Sequence, residues 1–171
     1  LGIDFEEWFH PELIQDHVKN EKRIPKVING IEKILDLLRQ KETYATFFVV
    51  GELLEIKPDL LDLILENGHE IGFHTMKHTR IDTKDFEREF RIEIETFKKL
   101  TNDKSKGFRA PSFSLNEKSS WIIDVLEEFG YNYDSSVVPA KTSLYGLPEA
   151  DKKPYYISSK SLLKNDINGK I

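Results

Sequence analysis

An α/β protein with a parallel sheet, built as an open, incomplete or distorted (β/α) barrel, is the fold class that this sequence predicts. Three observations point there. Strand-like and helix-like patterns alternate about five times between Leu1 and Ser136. The second strand-like run, Thr43-Tyr44-Ala45-Thr46-Phe47-Phe48-Val49-Val50, is apolar almost throughout, as a strand buried on both faces must be. The polar residues able to do chemistry fall at or just past the ends of separate strand-like runs, where folds of this class assemble their sites.

The elements follow in order. Leu1-Gly2-Ile3-Asp4-Phe5-Glu6 alternates, with Ile3 and Phe5 on one side and Asp4 and Glu6 on the other. A polar loop, 10–23, leads to Pro25, which opens a helix whose Val27, Ile28, Ile31, Ile34, Leu35 and Leu38 follow the 3.6-residue period. After the second strand, Pro58 starts a helix through Leu65, stopped by Asn67-Gly68. The third strand, 68–73, runs into His74-Thr75-Met76-Lys77-His78. Asp82 or Thr83 is expected to cap an amphipathic helix carrying Phe86, Phe90, Ile94, Phe97 and Leu100. A short fourth strand ends at Phe108-Arg109-Ala110-Pro111. Asn116 precedes a helix carrying Trp121, Ile122, Val125, Leu126 and Phe129. Tyr131-Asn132-Tyr133-Asp134-Ser135-Ser136 is a fifth strand with its exit loop. Beyond Pro139 the chain reads as a long loop, with short strands expected at 155–157 and 162–163.

Composition narrows the function. The 171 residues are 39% hydrophobic and 32% charged, enough for one domain with a core, and we expect a single domain over 1–171. A net charge of −5 and no basic stripe argue against nucleic acid as a partner. No run approaches a membrane span and no signal peptide is visible, so a cytoplasmic location is the expectation. The chain opens without methionine inside a strand, and its last residues read as unfinished. We therefore expect sequence missing at both ends, chiefly the C-terminal one. There is no cysteine, so any metal must be held by histidine and carboxylate.

His74 and His78 stand four apart. On a helical turn that spacing puts both imidazoles on one face, able to grip one ion. Alone, the pair reads first as two solvated or packing histidines. Asp4 and Glu6, on one strand face, repel each other unless a cation intervenes or the strand end is solvated. Two imidazoles and one carboxylate make a facial metal site with open positions, and the second carboxylate could act as base. Arg109, among apolar neighbours, is either a surface residue with a buried stem or the partner of a buried carboxylate. Asp134 reads first as a turn cap with Ser135 and Ser136. His69 reads as packing, and His10 and His17 as loop residues that are solvated or line a cleft.

Taken together these residues resemble the polysaccharide deacetylases, the NodB-homology family of carbohydrate esterases, over Ile3 to about Val138. Gly68-His69-Glu70-Ile71-Gly72-Phe73-His74-Thr75-Met76-Lys77-His78 is similar to the family's Gly-His-Glu-Ile and His-Ser/Thr-x-x-His signature. Ala45 to Gly51 resembles its second strand, Phe108-Arg109-Ala110-Pro111 its Arg-x-Pro motif, and Tyr131 to Ser136 the segment lining the acetyl pocket. The first motif, Asp4-Phe5-Glu6-Glu7-Trp8, looks like the Asp-x-Glu-Asp-Trp variant of a subgroup acting on surface or exported polysaccharides. The fifth, a Leu-x-His segment carrying the general acid, has no counterpart, since no histidine follows His78.

The resemblance implies a distorted barrel of the NodB-homology type and hydrolysis of the N-acetyl group of an amino sugar, in a polysaccharide or glycan precursor. It implies a divalent metal, zinc foremost, on Glu6, His74 and His78, with Glu7 replacing Glu6 if the strand bulges. Asp4 would be the base and Arg109 its orienting partner. Pro111, Tyr133, Asp134 and Ser135 would line the substrate pocket, and a backbone N–H near Asp134 or Ser135 would steady the oxyanion. Two other outcomes fit the same residues: hydrolysis of a different non-peptide amide, such as deformylation, or sugar binding without turnover.

Overall fold

The computed structural model describes residues 1–15, 17–18 and 21–171. Five parallel strands form one sheet in the order β1-β2-β3-β4-β5: β1 (Gly2–Phe5), β2 (Thr46–Val49), β3 (Glu70–Phe73), β4 (Gly107–Phe108) and β5 (Tyr133–Asp134). Each crossover steps in the same direction, so the strand order never reverses as it does in doubly wound sheets. The helices are α1 (Glu12–Gln15), α2 (Ile31–Gln40, after a 3-10 turn at Val27–Gly30), α3 (Glu52–Ile56), α4 (Leu60–Glu66), α5 (Glu87–Leu100) and α6 (Trp121–Glu128). This is the expected open (β/α) barrel.

Strand alternation sorts the side chains. Phe5, Phe47, Val49, Ile71, Phe73 and Phe108 face the helices and are fully buried. Phe73 packs its ring 4.6 Å from Phe97 and 5.7 Å from Phe90, both on the apolar stripe of α5. The other face is concave. There the register aligns Asp4, Phe48, Gly72, Gly107 and Tyr133 across the five strands. Arg109, just past β4, reaches across to Asp4 of β1 at 2.6 Å, and the Tyr133 hydroxyl of β5 donates to Glu70 of β3 at 2.8 Å. Contacts between non-adjacent strands require a curled sheet.

Glycine makes the curl possible. A Cβ on Gly72 would lie 2.6 Å from the Phe48 ring, and one on Gly107 would lie inside the Tyr133 ring. Gly72→Ala is expected to cost about 1–3 kcal/mol, because Phe48 must leave its rotamer well. Thermal unfolding would read this as a Tm lower by several degrees.

The structure corrects the sequence reading in four places. His74–His78 is a loop, not a helical turn, with Thr75 and His78 at φ 57° and 59°. The helix expected from Asp82 or Thr83 begins at Glu87. Asp85 has φ 58°, and the Asp82 carboxylate is taken by Arg80 and Asn116, so it is not free to cap. An additional helix, α3, precedes the expected α4. The strands expected at 155–157 and 162–163 are absent, and Ser158 and Ser161 form an isolated antiparallel bridge instead. Tyr156 and Leu163 lie in a segment ordered by side-chain contacts such as the Tyr155 hydroxyl donating to Leu162 O at 2.6 Å. Among the described residues, no helix is long and apolar enough to cross a membrane.

Candidate metal centre

Three side chains converge at the C-terminal ends of β1 and β3. Glu6 is the first residue past β1 and His74 the first past β3. The loop after His74 folds His78 back toward them. Ligand atoms of Glu6, His74 and His78 all lie within 4.8 Å of one another, and the two imidazole rings are 5.1 Å apart.

Each of the three residues keeps a buried polar atom that no hydrogen bond uses. His74 Nδ1 donates to the Arg109 carbonyl at 2.7 Å, which leaves Nε2 unprotonated, with a lone pair for the centre. Burial holds the His74 pKa down at about 4, so the ring is neutral across the physiological range. His74 Nε2, His78 Nδ1 and Glu6 Oε2 are buried without a hydrogen-bond partner. His78 Nε2 and Glu6 Oε2 lie 2.8 Å apart, but the angles do not make a hydrogen bond. Buried polar atoms in native folds are ordinarily satisfied, so an unpartnered buried atom on each of three residues whose ligand atoms cluster fits a cation held among them. Two imidazoles and a carboxylate suit a divalent ion and leave positions open.

Glu7 has a different task. Its carboxylate accepts from the Lys26 N–H at 2.7 and 2.8 Å and from the Val27 N–H at 2.9 Å, clamping the start of the turn into α2. The geometry therefore puts Glu6, not Glu7, in the ligand group. Glu7→Ala is expected to cost about 2–3 kcal/mol in stability, since two N–H groups lose the charged acceptor that the buried Glu7 supplies. It would leave metal stoichiometry unchanged, whereas Glu6→Ala would lower it; elemental analysis of the two proteins checks this.

Asp4 sits beside the ligand group on the concave face. Arg109 donates from Nη1 to Asp4 Oδ1 at 2.6 Å, from Nη2 to Ser135 Oγ at 2.8 Å, and from Nε to the Ser135 carbonyl at 3.3 Å. Its guanidinium lies 4.2 Å from the centroid of Phe48 and 5.5 Å from that of Phe113. A Cβ on Gly2 would come within 2.5 Å of Arg109 Nη2, so the strand's glycine opens the space the guanidinium fills. Arg109 is thus the partner of a carboxylate, the second of its two sequence readings.

The other expected site residues divide. Ser135 holds Arg109. Tyr133 points along the concave face to Glu70 and Thr46, and burial pushes its hydroxyl pKa upward. Tyr133, Asp134 and Ser135 border a cavity of about 330 Å³ beside β5. The Asp134 carboxylate accepts from the Ser136 N–H at 2.8 Å and from its hydroxyl at 2.5 Å, and burial raises its pKa to about 6. Ser136 Oγ in turn accepts from the Ala110 N–H. The Ser135 N–H donates to Phe108 O. Both N–H groups are therefore engaged within the fold, and neither is free for an oxyanion. Pro111 is buried and opens a 3-10 turn in which Ser112 and Phe113 take φ 51° and 47°.

His10 is not a free acid. Its Nδ1 accepts from the Glu7 N–H at 3.0 Å, so Nε2 carries the proton it shares with Glu52 at 2.7 Å. It lies parallel to His78 at 6.2 Å. That hydrogen bond lowers the Glu52 pKa. His17 is exposed. Sequence pattern gives no notice of the roles of Glu52, Phe48 or Glu93, whereas Ser136 is the turn partner expected for Asp134.

Comparison with known proteins identifies the family. A family model described as polysaccharide deacetylase matches residues 25–133, which begins past Asp4 and Glu6 and takes in the histidine loop and Arg109. A peptidoglycan deacetylase of Helicobacter pylori is 26% identical over 146 residues, 82% of this chain and 49% of that protein. A peptidoglycan-N-acetylglucosamine deacetylase of Bacillus cereus is 31% identical over 119 residues, 60% of this chain and 43% of that protein. A Mycobacterium smegmatis crystal structure described as a polysaccharide deacetylase superposes with a TM-score of 0.62 at 25% identity, covering 81% of this chain and 50% of that one. The chain spans about half the length, or less, of the curated relatives it matches. With the match running over well more than half of its residues, the chain belongs to the polysaccharide deacetylase family.

Proposed function

We propose that this chain is the metal-binding part of an N-deacetylase that hydrolyses the N-acetyl group of an amino sugar in a glycan, with zinc as the metal. The observation that carries the reading is the cluster of ligand atoms on Glu6, His74 and His78, each residue keeping a buried unpartnered atom, beside the Asp4–Arg109 pair. A divalent ion on those three residues supplies Lewis acidity toward the amide carbonyl and lowers the pKa of water in the site.

The chain's own residues do the rest. Arg109 binds Asp4 Oδ1, which leaves Oδ2 to take the proton of the attacking water and return it to the amine nitrogen as the C–N bond breaks. Ser135 and the Phe48 face hold Arg109 in place, so Asp4 enters the reaction already oriented. Burial keeps His74 neutral, and its bond to Arg109 O fixes the ring with Nε2 free, which couples the metal position to the strand that carries the base partner. We read Asp4-Phe5-Glu6-Glu7-Trp8 as the variant first motif, with Asp4 as base and Glu6 as ligand. The names of the relatives point to peptidoglycan as one N-acetylated substrate.

The test is acetate release from N-acetylglucosamine oligomers and from peptidoglycan by the zinc-loaded protein. Release that stops on chelation supports the reading. One zinc per chain with sugar binding but no acetate would replace it with sugar binding without turnover, and release of formate from an N-formyl sugar alone would replace it with deformylation.

A further inference from the structure

We infer that Glu93 of α5 is a positioning residue for the metal-ligand loop: its carboxylate holds the Met76 amide and so sets His74 and His78 at ligating separation before an ion arrives. The inference rests on the reading of Glu6, His74 and His78 as metal ligands.

Three residues, Thr75, Met76 and Lys77, separate the two histidines, and their backbone decides where both rings go. That backbone is not one the sequence prefers. Thr75 is β-branched yet has φ 57°, a region such residues rarely adopt, and His78 has φ 59°. The loop persists because its surroundings over-determine it. The Gly51 N–H donates to Thr75 O at 2.9 Å and the Glu52 N–H donates to Met76 O at 3.0 Å. The Met76 N–H donates to Glu93 Oε2 at 2.9 Å. The first two anchors are main chain and reach only carbonyls. The third comes from a side chain, and it fixes the one amide at the middle of the loop.

Glu93 is out of place by any other account. It is 6% exposed, on the face of α5 that carries Phe90, Ile94 and Phe97, all fully buried. An apolar residue there would complete the stripe at no cost in desolvation. Burial raises the Glu93 pKa to about 7, with Glu89 adding to the rise and Lys77 and the Met76 amide opposing it. Carrying a buried carboxylate makes physical sense if the amide it binds matters. Gly51 supports the same point from the opposite side: a Cβ there would overlap Met76 Sδ, so the loop is seated between Gly51 and α5 with no slack.

The experiment is zinc affinity by chelator competition on the wild-type protein, Glu93→Gln and Glu93→Met, with the Tm of each metal-free protein measured alongside. Gln keeps an acceptor oxygen for Met76. Glu93→Gln is expected to bind within about threefold of wild type and Glu93→Met at least tenfold more weakly, the range over which residues supporting metal ligands act. The metal-free Tm of Glu93→Met is expected to be unchanged or higher, which a merely stabilising role would not give. Should Glu93→Met fail to fold, Glu93→Ser, too short to reach the Met76 amide, is expected to show the same weakening. If wild type takes up no zinc, the ligand reading itself fails. If wild type binds zinc and the variant lacking the acceptor binds it equally well, Glu93 is not a positioning residue and the ligand reading stands.

Discussion

His74→Ala is expected to abolish metal binding and turnover together, the largest effect of any single change. Elemental analysis of protein purified without chelator should fall from about one zinc per chain to none, because two remaining ligands no longer close a facial set. Acetate release should drop on the order of a thousandfold or more, the scale lost when a preorganised electrostatic contact is removed from a reacting carbonyl. The fold should survive, since the change costs one hydrogen bond, from Nδ1 to Arg109 O, and removes a buried nitrogen that has no partner in the metal-free protein. Stability against pH supplies an independent readout. In the folded protein His74 has a pKa of about 4, below the 6.5 of an exposed imidazole. Between those values the unfolded chain binds the proton and the folded one does not. Stability of the metal-free protein therefore falls as pH drops from 6.5 to 4, by up to roughly 3 kcal/mol from this residue. His74→Ala removes that slope. Glu93 and Asp134, raised to about 7 and about 6, slope the other way in both proteins and cancel in the difference. A wild-type profile that matches the variant across this window would mean that His74 is not the buried neutral ligand described here.

The parts of this molecule that were readable from sequence share a cause. Period-two and period-3.6 patterns arise from burial on one face, and burial is what formed β2, α2, α5 and α6 close to where the patterns put them. Arg109 reads from sequence as either a surface residue with a buried stem or a carboxylate partner, and only its contact with the distant Asp4 decides for the second. What escaped notice depends on contacts between distant segments. The choice between Glu6 and Glu7 turns on where the chain goes after β1 ends at Phe5, and it is decided by Lys26 and Val27, some twenty residues on. The histidine pair was placed correctly in the chain but on the wrong backbone. An i,i+4 spacing suits a helix, yet here two left-handed residues and three anchors from other segments bring the rings together. Beyond Pro139 the chain reads as a long loop, and it is one; the two short strands expected inside it at 155–157 and 162–163 do not form, because side-chain bonds order that segment and no local pattern announces them.

Asp4→Asn should separate chemistry from metal binding. Asn is the same shape, and its carbonyl oxygen can still accept from Arg109 Nη1, so the pair's geometry survives while the basic group is gone. Zinc content is expected to stay near one per chain, because Asp4 is outside the ligand group. Turnover is expected to fall on the order of 10²–10⁴-fold, the usual worth of a positioned base. Arg109→Met probes the same pair from the other end. It removes the three donors that hold Asp4 and Ser135 and uncovers Phe48, at a cost of about 2–3 kcal/mol, below the figure for a fully buried pair because both side chains keep some contact with solvent. The carbonyl that accepts from His74 is main chain and remains, so zinc should still bind. Arg109→Lys would not restore turnover, since an ammonium cannot engage Asp4 and Ser135 as a planar fork does. Loss of zinc from Asp4→Asn would instead make Asp4 a fourth ligand. The proton would then have to go to a different group, and the Asp4–Arg109 pair would serve the metal rather than the water.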